Sequence, residues 1–212
     1  SNKRLRYVLL FGDASYDYRN KSGQVCFIPT FESKISCSSN CMVTDDYFVC
    51  LDDNEGRMDN NTSTIDVAIG RMPVSTQEDA SAMIDKIEDY ISLNDESAGQ
   101  WRKNITFVTD DNATYYMNHA EQLEKIIKNN GGEDVDIDKI YLDAYPQIAT
   151  SSGQRAPECN AAITNRVELG TSIVNYIGHA GEVGWTEERI LTNDDIFSCR
   201  NSPKLPLMIT AS

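Results

Sequence analysis

The 212-residue sequence predicts an α/β protein built on a mainly parallel sheet. Apolar runs of strand length recur along the chain, each closed by Gly, Asp or a polar pair. Segments of helical periodicity stand between them, and strand–helix–strand alternation implies parallel strands joined by crossovers. The apolar runs fall far short of the roughly 20 residues of a membrane span, so no transmembrane helix is predicted.

Tyr7–Phe11 (YVLLF), ended by Gly12 and Asp13, reads as a buried parallel strand, and Asp66–Gly70 reads the same way. The stretch between them, Ser15–Thr64, is rich in Asp, Asn, Ser and Cys and too long for a passive connection, so it reads as a structured excursion. Ala80, Met83, Ile84, Ile87, Tyr90 and Ile91 recur at helical spacing, with Ser75 or Thr76 as N-cap and Glu78 and Asp79 in the first turn. The polar segment Leu93–Gly99 then marks a boundary, giving subdomains 1–99 and 100–212. The second half repeats the rhythm. Strands are predicted at Ile105–Thr109, Ile137–Leu142, Ser172–Ile177 and Leu205–Thr210, and helices at Tyr115–Asn129 and Pro157–Glu168, the latter stopped by Gly170. The segment from Tyr145 through Gly153 reads as a loop. The last strand should be a core strand followed by a crossover, but the sequence stops at Ser212, so it reads as truncated at the C-terminus.

Nineteen basic against 33 acidic residues give a net charge of −14, and no Lys/Arg cluster tracks phosphates, which excludes nucleic acid as a partner. None of the six cysteines has zinc-site spacing. A Cys37–Cys41 or Cys26–Cys50 disulfide in an exported protein is one reading, and free thiols are the other. Asp52–Asp59 clusters carboxylates around a glycine without the EF-hand spacing; it reads as a solvated acidic loop, with a structural calcium ion as the alternative. No other metal or cofactor is implied. Asp45 and Asp46 precede an aromatic run and either bind a cation or anchor the loop.

His179 follows directly on the Ser172–Ile177 strand, and in open parallel sheets chemistry collects at the carboxyl ends of strands. Asp110 and Asp111 end the Ile105–Thr109 strand. If these strands are neighbours, Asp110 can orient His179 as a general base for a nucleophile delivered by the last strand. The N–H groups of Ala180 and Gly181 then form part of an oxyanion hole. A histidine that merely caps its strand is the competing reading. His119 falls in mid-helix and reads as a surface residue.

The segments NYIGHAGEVGW (Asn175–Trp185), ERIL (Glu188–Leu191) and KLPLMITAS (Lys204–Ser212) resemble the catalytic region of gingipain-type cysteine peptidases. More narrowly they resemble the sortases of the type IX secretion system of Bacteroidetes. LFGD (Leu10–Asp13), TDDYF (Thr44–Phe48), CLDD (Cys50–Asp53), IGRMP (Ile69–Pro73) and KIYLDAYPQ (Lys139–Gln147) extend the likeness along the chain. The resemblance implies a caspase-like α/β/α sandwich of two side-by-side subdomains. His179 is then the catalytic histidine, Asp110 its acidic orienter, and a cysteine nucleophile is expected immediately after Ser212, leaving the fragment inactive. Arginine-directed members carry an acidic residue where Tyr116 stands, so basic-side-chain selectivity is not implied. Glu182 and Trp185 join Tyr116 as substrate-pocket candidates. The implied activity removes the C-terminal domain of secreted cargo and transfers the cargo to a surface lipopolysaccharide, at the outer membrane and beside other type IX components. A general gingipain-like protease and a non-catalytic caspase-like binding module are the alternatives.

Overall fold

A computed structural model describes residues 4–15, 17–23, 26–32, 43–56, 63–93 and 97–212. They form two compact units, Ser1–Asp85 and Lys86–Ser212.

In the first unit, β1 (Tyr7–Phe11) lies where the sequence predicts it. β2 (Phe31–Glu32) and β3 (Val43–Thr44) pair antiparallel, and β4 (Ala68–Met72) pairs parallel with β1, Tyr7 opposite Ala68 and Phe11 opposite Met72. β1 is not buried as expected. Its burial alternates, leaving Tyr7 and Leu9 exposed, because a sheet of two strands turns only one face to the packing. β4 starts two residues later than the predicted Asp66 because Asp66 serves the preceding loop. Its N–H donates to Val49 O (3.0 Å), and its carboxylate accepts the Leu51 N–H (2.7 Å).

Arg71 of β4 holds the excursion together. Its guanidinium forks onto Asp45 through two bonds of 2.7 Å, the bidentate geometry that makes such pairs strong, and donates to the carbonyls of Gly12, Ile28 and Pro29. Asp45 is thus the anchor, not the cation ligand, of the two readings, and Arg71 holds its carboxyl below the usual carboxylate range. A 3-10 turn over 46–49 follows, burying Val49 and stacking Tyr47 on Phe31 at 4.8 Å. Cys26 and Cys50 are free thiols, which removes that disulfide. Cys37 and Cys41 lie outside the described residues, as does part of the Asp52–Asp59 loop.

Helix α1 (Gln77–Ser92) is capped by Thr76, whose hydroxyl accepts the Asp79 N–H at 3.0 Å. Its packed stripe, Ala80, Met83, Ile87 and Tyr90, is narrower than predicted, since Ile84 and Ile91 are exposed.

The second unit carries the predicted parallel sheet. β5 (Asn104–Thr109), β6 (Asp136–Tyr141), β9 (Ile173–Ile177) and β13 (Leu207–Ala211) lie in the order β13-β9-β5-β6, all parallel. Helix α2 (Thr114–Asn129) packs on β5, and α3 (Pro157–Leu169) packs on β6. Proline opens α3, and Gly170 at φ 105° closes it. The core gathers Val108, Ile140, Cys159, Ile163, Val174 and Tyr176, and burying each aliphatic side chain contributes roughly 1.5–3 kcal/mol. Among the described strands β13 pairs with β9 alone.

The predicted loop after Pro146 contains an antiparallel hairpin, β7 (Ile148–Thr150) with β8 (Gly153–Arg155). After β9 the chain forms a small antiparallel sheet from β10 (Ala180–Gly181), β11 (Gly184–Trp185) and β12 (Leu191–Thr192). Helix α4 (Asn193–Ser198) then opens on a capping box between Thr192 and Asp195.

Candidate active site

β5 and β9 pair so that Thr109 faces Ile177, which brings the residues after both strands to one point. There the Nδ1 of His179 lies 3.1 Å from Asp110 Oδ2, and the same oxygen accepts the His179 backbone N–H at 2.9 Å. Gly178 makes the approach feasible. A Cβ on it would stand 2.2 Å from the Cβ of Asp110 and 2.6 Å from the hydroxyl of Tyr176.

Asp110 is fully buried. Burial pushes its carboxyl up, but the N–H groups of His179, Asn112 and Asp111 and the Asn112 side-chain amide outweigh this and hold it below the ordinary aspartate value. It is therefore a fixed anion under an imidazole whose side chain is 67% exposed. With Nδ1 committed to the carboxylate, Nε2 is the ring atom left to exchange a proton with a reacting group. The His179 carbonyl is held as well, by the Thr186 N–H at 2.9 Å and by the hydroxyl of Tyr176.

The dyad opens into a cavity of about 770 Å³ bordered by Asn112, His179, Ala180, Gly181, Glu182 and Arg189, among others. Ala180, Gly181 and Glu182 lie on its rim beside His179. Tyr116 is buried with its ring edge-on to His179, centroids 5.9 Å apart. A hydrogen bond with Tyr115, with burial adding to it, pushes its phenol up to about 12. Trp185 departs from the expectation. It stacks flat on buried Tyr176 at 4.3 Å and packs against the core, so it supports the floor of the His179 loop and does not line the cavity. His119 is exposed on α2 as predicted.

Sequence reasoning passed over Asn112, Tyr176 and Glu188. The run Asp110–Asn112 directly after a strand was a readable signal for the first. Nothing in one sequence marks the tyrosine of a strand as the partner of a carbonyl three residues on.

β13 ends at the same place. Gly178 N–H donates to Ala211 O at 3.1 Å, so the carboxyl end of β13 adjoins the His179 loop. The thiols described elsewhere in the unit are poor nucleophiles. Burial pushes Cys159 up to about 12 and raises Cys199 as well, leaving little thiolate at neutral pH.

The family model described as Peptidase family C25 matches residues 1–212. The chain belongs to peptidase family C25. Two solved structures match across 97% of the chain, both with a TM-score of 0.65. One is the Arg-specific cysteine proteinase gingipain R (RgpB), at 20% identity, of which the match covers 40%. The other is the complex of Porphyromonas gingivalis RgpB pro- and mature domains, at 21% identity, of which it covers 41%. The chain thus spans about two fifths of the length of the structures it matches. No curated protein matches the sequence significantly. The caspase-like α/β fold with mainly parallel sheets is shared with these gingipain structures.

Proposed function

We propose that His179 and Asp110 are the general base and its orienter in a C25 cysteine endopeptidase of the sortase type. The observation carrying this reading is the buried anion beneath an exposed imidazole at the carboxyl ends of adjacent strands, with the end of β13 alongside. The resemblance puts the nucleophilic cysteine directly after Ser212, next to that loop. Its thiolate attacks the scissile carbonyl carbon. The C–N bond then breaks as the His179 imidazolium passes its Nε2 proton to the leaving amine, and a thioester results. An incoming amine or water, deprotonated by His179, attacks the thioester and releases the thiolate. Ala180 and Gly181 supply N–H groups toward the oxyanion, Glu182 borders the substrate, and Tyr116 packs edge-on against the His179 ring.

In this reading the substrate is the C-terminal domain of secreted cargo and the acceptor amine belongs to a surface lipopolysaccharide. The enzyme works exported, at the outer membrane of a Gram-negative cell, beside other type IX components. A general gingipain-like protease shares every step except the acceptor.

The test is cleavage of a cargo C-terminal domain by the chain expressed with the residues its reading frame encodes after Ser212. A cysteine at the next position, with cleavage lost in His179→Ala, is the expected result. A different residue there overturns the reading in favour of a non-catalytic binding module, and an active His179→Ala variant overturns it by removing His179 from the chemistry. Product captured by an added amine in place of water separates sortase from hydrolase.

A further inference from the structure

The carbonyl oxygen of His179 is held from two sides. The hydroxyl of Tyr176 donates to it, and so does the backbone N–H of Thr186 at 2.9 Å. The peptide joining His179 to Ala180 is trans, so its C=O and its N–H lie in one plane and point in opposite directions. Fixing the carbonyl inward, toward buried Tyr176, therefore fixes the Ala180 N–H outward. Ala180 is exposed and borders the cavity of about 770 Å³ beside His179, so outward means into that cavity. The ladder agrees. Ala180 stands opposite Trp185, and the bond from Thr186 to His179 makes the neighbouring pair the hydrogen-bonded one. Such pairs alternate along an antiparallel ribbon, so Ala180 turns its N–H away from β11.

Both holding groups are themselves held. Tyr176 is fully buried, and its ring lies flat on Trp185, centroids 4.3 Å and planes 6° apart. Burial pushes its phenol far above the ordinary tyrosine value, so the O–H remains a donor at any working pH. Thr186 sits at φ 58°, a left-handed conformation that costs a β-branched residue about 1–2 kcal/mol. That conformation delivers its N–H to the His179 carbonyl, in a turn that the Arg189 N–H closes onto Thr186 O at 3.3 Å and that buried Glu188 roots in the unit. A buried hydroxyl, a ring clamped over it and a strained residue thus converge on one carbonyl oxygen that takes no part in the Asp110–His179 pair.

We propose that Tyr176 is a positioning residue of the catalytic site, which together with Thr186 pins the His179–Ala180 peptide so that the Ala180 N–H is aimed at the oxyanion in advance. The role rests on the peptidase reading above. When the thiolate attacks, the π pair of the scissile carbonyl moves onto oxygen, and it returns as the C–N bond breaks and the thioester forms. The same oxygen is charged again when water or an amine opens the thioester. A donor aimed before the charge develops stabilises both transition states without reorganising during the reaction. Tyr176 is buried, so it acts through that peptide and not by touching substrate.

The test compares the chain extended past Ser212 with its Tyr176→Phe variant, which keeps the ring on Trp185 and loses only the hydroxyl. Losing an oxyanion donor outright costs about 10²–10³ in kcat, so loosening one should lower kcat about 10-fold or more. KM should stay within about 2-fold, because the interaction is made only in the transition state. The pH profile should not move, because Asp110 still holds His179. Full activity, a raised KM at unchanged kcat, or a displaced pH profile overturns the proposal. In the 212-residue chain, NMR reads the peptide directly. Tyr176→Phe should shift the Ala180 and Thr186 amide resonances and speed exchange of the Thr186 N–H, with the amides of β5 unmoved; unchanged Ala180 and Thr186 amides overturn the pinning whatever the activity. If Tyr176→Phe does not fold, Trp185→Leu, which unclamps the ring and keeps the hydroxyl, should lower kcat in the same sense, and no loss there overturns the role. An extended chain without activity fails the peptidase reading and this role with it. A fully active Tyr176→Phe beside an inactive His179→Ala removes the positioning role alone.

Discussion

One oxygen, Asp110 Oδ2, holds His179 twice, at the backbone N–H and at Nδ1, while Oδ1 takes the N–H groups of Asp111 and Asn112 and the Asn112 amide. Hydrogen bonds to a buried charged acceptor are each worth about 1.5–3 kcal/mol, so this carboxylate bears on stability as well as on orientation. Its folded pKa is depressed, so the stability it provides is fully present above the ordinary aspartate value of about 4 and is lost as pH falls through the lower folded value. Asp111 has the opposite sign. Its raised folded pKa opposes folding once pH rises past the ordinary value, and that cost is relieved in acid. Asp110→Asn should therefore lower stability by about 2 kcal/mol or more at neutral pH, with the deficit shrinking below about pH 4. Urea unfolding of both proteins from pH 3 to pH 7 measures this; a deficit independent of pH would show that Asp110 acts only through its shape.

The elements that aim these residues are short, and their ends matter more than their lengths. α4 spans only six residues, Asn193–Ser198, and holds its place through the reciprocal Thr192–Asp195 cap. Asn160 of α3 ties that cap down by donating to Asp195 Oδ2 at 2.9 Å and to Ile190 O at 3.1 Å. Thr192→Ala removes the hydroxyl that both accepts from the Asp195 N–H and donates to its carboxylate, and should cost about 1 kcal/mol by chemical denaturation. A loss indistinguishable from zero would mean that packing on α3, not the cap, fixes α4. The cap also shows what a single sequence reveals and what it hides. The β5, β6 and β9 strands and helices α2 and α3 were legible because each pairs an apolar period with a recognisable stop, as in Pro157 and Gly170 around α3. His179 and Asp110 were legible because strand ends in a parallel sheet converge. The hairpins β7–β8 and β10–β11 and helix α4 were not, since two- or three-residue strands and a six-residue helix are set by tertiary contacts rather than by propensity. The same limit concealed Trp185, whose stacking partner Tyr176 faces it only once β9 and β11 are in place.

Across the whole molecule, burial is divided unevenly. The contiguous apolar core runs from Val108 to Leu191, within the unit Lys86–Ser212, and the last four residues of β5 are buried without a break. In the unit Ser1–Asp85, β1 and β4 contain no buried residue, and the excursion rests on the Arg71–Asp45 fork and its three carbonyls. Amide protection follows the local free energy of opening, which rises with buried apolar contact. Native-state hydrogen exchange should therefore find its slowest amides on β5 and β9 and faster ones on β1 and β4. Arg71→Lys, which replaces the planar fork with a point charge, should speed exchange around the excursion while leaving β5 and β9 unchanged. Uniform protection on the strands of both units, or faster exchange on β5 that tracks Arg71→Lys, would mean that the two units open as one and that the uneven burial does not govern their stability.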